Sequence, residues 1–189
     1  MSQRDLTLLI AHPDDEILFL WPFLERTRHI ICVADDHNNP DRAWCKERGE
    51  CLREVAALLR IPGKVITLGE NSDFYRLPTR DQTLKQLGMR VVGELQTAGL
   101  TVATHNRWGE YGHLDHILCN HFALCSGLPL LNTNIRQEAN WLPLPSCDPH
   151  VSSVEPLDMG LCNQVKAIYD ARGCWTWSKP PVEECRVWA

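Results

Sequence analysis

The chain has 189 residues, 19 basic against 24 acidic side chains and a net charge of −5, with 44% hydrophobic and 23% charged residues. That is the profile of one globular domain able to bury about 70% of its unfolded surface, and it excludes disordered, collagenous and coiled-coil proteins. The mild acidity and the lack of a basic run exclude a nucleic-acid or anionic-membrane surface as the main partner.

Strand-like and helical runs alternate along the chain. Residues 6–10 (LTLLI) read as a strand buried on both faces, and residues 16–28 as a helix with Pro22 as its kink. Residues 29–34 form the second predicted strand, 41–60 a helix stopped by Pro62 and Gly63, and 64–68 the third strand. A helix over 83–98 carries Leu84, Leu87, Val91, Val92 and Leu95 at helical spacing and ends at Gly99. Residues 100–105 make strand four, 113–124 a helix, 130–133 a fifth strand and 156–171 a last amphipathic helix. The proline-rich stretch 134–156 reads as loops with one strand at most, and 172–189 as a tail. This succession predicts an α/β fold: a Rossmann-like, mostly parallel sheet sandwiched by helices, with the site at the carboxyl ends of the strands. The whole of 1–189 is expected to be one domain, in which 134–156 and 172–189 shape the substrate pocket.

Nine cysteines stand out, but the closest in sequence, such as Cys45 and Cys51, are six apart, so neither a CxxC pair nor a zinc-ribbon spacing exists. They read as small buried hydrophobes in a reducing compartment. The start, Met1 to Leu6, lacks the basic flank and apolar core of a secretory signal. The densest apolar run, 17–24, is interrupted by Pro22 and far shorter than the ~18–20 residues of a membrane span. A cytoplasmic protein without a membrane span is the expectation.

Two segments carry chemistry. Directly after the first predicted strand, Ala11-His12-Pro13-Asp14-Asp15-Glu16 packs an imidazole and three carboxylates into the turn where a ligand is expected. After the fourth, across Trp108-Gly109-Glu110-Tyr111-Gly112, comes His113-Leu114-Asp115-His116, whose two histidines share a face if a helix opens there. Either piece alone reads as a capped helix start. Together at strand ends they suit a catalytic zinc, which takes three protein ligands and keeps one position open. The chain has no GxSxG and no GxGxxG after a strand, which disfavours serine hydrolases and dinucleotide oxidoreductases.

With AHPDDE at 11–16 and HLDH at 113–116, the sequence resembles the PIG-L/LmbE-like zinc-dependent de-N-acetylases. Weaker agreement lies at Arg48-Gly49-Glu50, Asp73, the approach 104–113 and Lys166 to Tyr169; Leu114 departs where proline is frequent. The resemblance implies one Zn²⁺ per chain held by His12, Asp15 and His116, with Asp14 as general base. It also implies that His113 stabilises the oxyanion or protonates the leaving amine, the latter helped if Asp115 raises its pKa. Glu16 receives no catalytic role. Arg48, Asp73, Asn106 and Trp108 are the candidate substrate-binding residues, with Cys174 to Trp177 as a further candidate lining. His105 lies close to the predicted site but is read as structural. The implied reaction is hydrolysis of an N-acetyl group from an amino sugar or glycoconjugate, releasing acetate and an amine. The alternatives are a metal-dependent amidase on another N-acylated small molecule and a catalytically inert sugar- or partner-binding module. The expected partner is a small N-acetylated molecule; homo-oligomers are common among such enzymes.

Overall fold

A computed structural model describes residues 4–77, 83–133, 151–178 and 184–188. Seven strands form one sheet in the order β3-β2-β1-β4-β5-β7-β6. Its first five members, β1 (Leu6–Ile10), β2 (Thr27–Ala34), β3 (Val65–Glu70), β4 (Thr101–Thr104) and β5 (Leu130–Thr133), are mutually parallel. β6 (Val151–Pro156) and β7 (Glu184–Trp188) add an antiparallel pair beyond β5.

Among the described residues six α-helices accompany the sheet: α1 (Asp15–Leu18), α2 (Arg48–Leu58), α3 (Thr83–Ala98), α4 (Gly109–Gly112), α5 (Leu114–Cys125) and α6 (Met159–Asp170). Strand side chains alternate between two cores, as the two-residue period requires. Leu6, Leu8, Ile10, Ile30 and Cys32 pack on one face with Cys51, Leu52 and Val55 of α2 and Val165 and Tyr169 of α6. Leu9, Ile31 and Val33 pack on the other with Leu87, Val91 and Leu95 of α3 and Cys119, Phe122 and Ala123 of α5. Each large aliphatic side chain so buried contributes roughly 1.5–3 kcal/mol, so β1, buried along its length, is the axis of the domain. The α/β expectation holds.

The helix predicted over 16–28 is instead α1 followed by a 3-10 segment, Trp21–Arg26. Pro22 disfavours helical geometry at the residue before it and sits where a 3-10 start needs no amide hydrogen. The chain then enters β2 two residues early, at Thr27. The helix predicted over 41–60 also divides. Asn39 caps a separate 3-10 segment, Pro40–Cys45, by accepting the Asp41 amide at 3.0 Å, and Arg42 leaves helical geometry, so α2 starts only at Arg48. Residues 184–188, predicted as tail, are a strand, stabilised by pairing on both sides with β5 and β6. Of the predicted loop 134–156, residues 134–150 lie outside the described residues. Among the described residues no helix is long and apolar enough to cross a membrane, and the buried cysteines Cys32, Cys51, Cys119, Cys162 and Cys174 are free.

Candidate active site

β1 and β4 are neighbours, and β1 stands where the order of the parallel strands reverses. Their carboxyl ends therefore flank the crevice in which such sheets bind ligands. The turn out of β1 is distorted. Asp14 has φ 96°, and Asp36, Asp73 and Glu110, from three other loops around the crevice, also have positive φ. Non-glycine residues in that region cost about 1–3 kcal/mol each, and such strain concentrates at functional sites.

Each acid of the first motif has a different employment. Asp15 accepts the His12 amide at 2.7 Å through Oδ2 and places Oδ1 3.5 Å from His116 Nε2. Burial would raise its pKa, but His116 and His105 hold it well below the usual range. Glu16 is fully buried on the other side, accepting the Asp14 amide at 2.9 Å and the Tyr169 hydroxyl at 2.8 Å. Burial, aided by the Asp14 charge, raises its pKa to about 8. Glu16 thus clamps the strained turn to α6, a role beyond the first-turn acid that the sequence suggested. Tyr169→Phe should lower the melting temperature by about 2–12 °C, because an abandoned buried partner costs about 1–3 kcal/mol and each kcal/mol moves a domain of this size by about 2–4 °C. An unchanged thermal transition would mean the clamp contributes nothing.

Asp14 projects into the pocket. Thr176 donates to its Oδ2 at 2.6 Å, and Arg48 lies 3.4 Å from its Oδ1 while also donating to the Pro13 carbonyl and, at 3.0 Å, to Asp36. Burial raises the Asp14 pKa to about 6, with Arg48 opposing and Asp15 assisting.

The second motif opens α5. His113 is its N-cap, its Nδ1 accepting the Asp115 amide at 3.2 Å. The ring is therefore neutral with its proton on Nε2, and burial together with His116 and His12 lowers its pKa to about 3. The Asp115 carboxylate does not meet His113, as the sequence suggested, but accepts from His12 Nε2 at 3.1 Å and from the amides of Asp73 and Tyr75 at 2.7 and 2.9 Å. Burial would lower the His12 pKa, but Asp115 and Asp15 carry it up to about 9.

Glu110 and His105, given no site role at the sequence level, complete the arrangement. Glu110 accepts from His116 Nδ1 at 2.7 Å and His105 Nδ1 at 3.1 Å. The His105 ring stacks on His116 at 3.8 Å and its Nε2 lies 3.2 Å from Asp15. Burial opposes the charge on both partners, yet their attraction lowers Glu110 to about 2 and raises His105 to about 10. The Gly109 and Gly112 positions, at φ 67° and 88°, let the loop fold tightly enough to bring Glu110 there.

These bonds fix which ring atoms are free. With Nδ1 bonded to Glu110, His116 presents Nε2, which is buried and has no hydrogen-bond partner. With Nε2 bonded to Asp115, His12 presents Nδ1, 3.5 Å from Asp15 Oδ2. One donor atom from each of His12, Asp15 and His116 lies within 4.8 Å of the others. Donors bonded tetrahedrally to zinc at about 2.0–2.2 Å stand about 3.3–3.5 Å apart, so the set fits such an ion. Carboxylate partners on the far ring nitrogens are the usual support of metal-binding histidines. Two other groupings, His12-His113-Asp115 and His105-Glu110-His116, are also close enough, but each includes atoms already engaged by internal hydrogen bonds.

His12 and Asp15 open into a pocket of about 300 Å³, with His116 buried behind them, and its wall includes Asp14, Arg42, Arg48, Tyr111, His113 and Trp177. Trp177 packs edge-on against Phe19 and tilted against Tyr111, both with centroids 5.4 Å apart. Of the four substrate candidates only Arg48 lines the wall. The Asp73 amide supports Asp115, Asn106 accepts the amides of Trp108 and Glu110, and Trp108 lies against Arg107.

No family model and no curated relative matches the chain. Solved structures do. An N,N'-diacetylchitobiose deacetylase from Pyrococcus horikoshii, complexed with an inhibitor, superposes with a TM-score of 0.57 at 15% identity, over 93% of this chain and 72% of the other. The antimicrobial reagent A40926 pseudoaglycone deacetylase Dbv21 superposes with a TM-score of 0.63 at 13% identity, over 92% and 83%. The fold is thus one that these deacetylases share.

Proposed function

We propose that this single-domain chain is a PIG-L/LmbE-like de-N-acetylase that uses one zinc ion to hydrolyse the acetamide of an amino sugar or glycoconjugate. The observation that carries the proposal is the unpartnered, buried His116 Nε2, 3.5 Å from the carboxylate of Asp15, which itself lines a polar pocket. The two neighbours sharing the fold are deacetylases, one of them of an acetylated sugar, which supports the substrate class.

His12, Asp15 and His116 would hold the ion. Bound there, zinc supplies Lewis acidity for the amide carbonyl and makes a nearby water easier to deprotonate. Asp14, held by Thr176 and Arg48, takes a proton from the attacking water. As the carbonyl carbon becomes tetrahedral, the neutral His113 donates from Nε2 to the oxygen on which charge develops; its low pKa disfavours imidazolium as the proton donor. Asp14 then returns the proton to the nitrogen, the C–N bond breaks, and acetate and the amine leave.

Zinc-loaded protein incubated with N-acetylglucosamine, its conjugates and N,N'-diacetylchitobiose is expected to release acetate and free amine in equal amounts. Absence of metal-stimulated release from the whole panel would overturn the enzyme reading in favour of a binding module.

A further inference from the structure

Arg42 lines the same pocket from the 3-10 segment between β2 and α2, and its electrostatic position differs from that of every other charged group there. Asp14, Asp15 and Arg48 are buried and bonded to one another or to neighbours. Arg42 is about one-third exposed and, among the described residues, has one charged partner, Asp36, at 3.6 Å, which is too long for a hydrogen bond. Asp36 cannot satisfy it. Its Oδ1 already accepts from the Ser72 amide at 2.8 Å and Asn39 at 3.1 Å, and its Oδ2 from Arg48 at 3.0 Å and the Ser72 hydroxyl at 2.6 Å. With those four bonds the carboxylate is saturated, and the Arg42 guanidinium keeps its donors for something else.

The Asp14 and Asp15 carboxylates on the same wall are already engaged, Asp14 by Thr176 and Arg48 and Asp15 by the His12 amide and His105. A guanidinium offers donors and no acceptor, and its planar fork matches the paired oxygens of a phosphate or carboxylate.

We propose that the substrate carries an anionic group on the molecule whose acetamide is cleaved, and that Arg42 is the residue that selects it. This rests on the deacetylase reading and adds the charge class of the substrate. A pocket of about 300 Å³ is at the lower end of the range for ligand sites, which suits one acetamido sugar with one such substituent.

The test compares kcat/KM for N-acetylglucosamine with that for its 1- and 6-phosphates and for N-acetylmuramic acid, whose charge is a carboxylate. At least one anionic form is expected to exceed the neutral sugar by about tenfold or more, through KM, with the advantage shrinking as salt is raised because Arg42 is partly exposed. In Arg42→Gln the anionic-to-neutral ratio should fall by about ten- to a hundredfold, and Arg42→Lys should restore part of it. A ratio near one in the parent protein, or one unchanged in Arg42→Gln, would overturn the proposal while leaving deacetylation standing. If no sugar is hydrolysed, calorimetry of the metal-free protein with glucosamine 6-phosphate and glucosamine separates the two failures. Preference for the phosphate, lost in Arg42→Gln, supports the anion site without the reaction; equal binding rejects it.

Discussion

Asp14→Asn is expected to bind zinc as the parent does and to lose about 10²–10⁴-fold in kcat, the span attributed to a positioned proton acceptor. Asparagine preserves the shape that meets Thr176 and Arg48 but cannot take a proton from water. The variant should not be a folding casualty. Burial raises the Asp14 pKa from 3.8 to about 6, so in the metal-free protein the ionised carboxylate disfavours the folded state above about pH 6, and this penalty is relieved as pH falls towards 3.8. At pH 7.5 metal-free Asp14→Asn should therefore melt no lower than the parent. Full turnover by a zinc-loaded Asp14→Asn protein would remove Asp14 as the base.

Glu110→Gln should weaken zinc binding by about 10- to 100-fold, the usual cost of removing a partner behind a metal-binding histidine. Its carboxylate fixes the His116 tautomer at 2.7 Å and is charge-paired with His105, which in turn meets Asp15. A neutral amide can still accept both ring protons at one oxygen, but it withdraws the charge that strengthens them and turns its NH2 towards the Asn106 amide that Oε1 accepts. Competition with a chromogenic chelator reads the affinity directly, independently of turnover. An unchanged dissociation constant would mean that His116 is oriented by the helix alone.

The parts legible in the sequence are those written locally. The short apolar runs of β1 and β2, the helical spacing of Leu87, Val91 and Leu95, and the two motifs each occupy one short segment whose pattern is its own evidence. What escaped depends on contacts between distant segments. Thr176 reaches Asp14 across 162 residues and Tyr169 reaches Glu16 across 153. Nothing local marks the carboxylate of Asp115 for His12 rather than for its neighbour His113. Glu110 stood in the quoted approach to the second motif, and the signal that could have singled it out was an acid bracketed by glycines, a pattern suited to a tight turn. Pro22 marks a kink in the sequence, but the chain leaves α-helical geometry before it, and the break within 41–60 falls at Arg42, where no proline marks it. The strand over 184–188 owes its state to pairing with β5 and β6, which no five-residue window contains.

The most direct test of the account is a titration of metal-free protein with zinc while amine release from an acetylated amino sugar is followed. Activity is expected to rise linearly and stop at one zinc per chain, and His116→Ala is expected neither to retain the ion after dialysis nor to gain activity. Full amine release without added metal, or one tightly held zinc in His116→Ala, would contradict it.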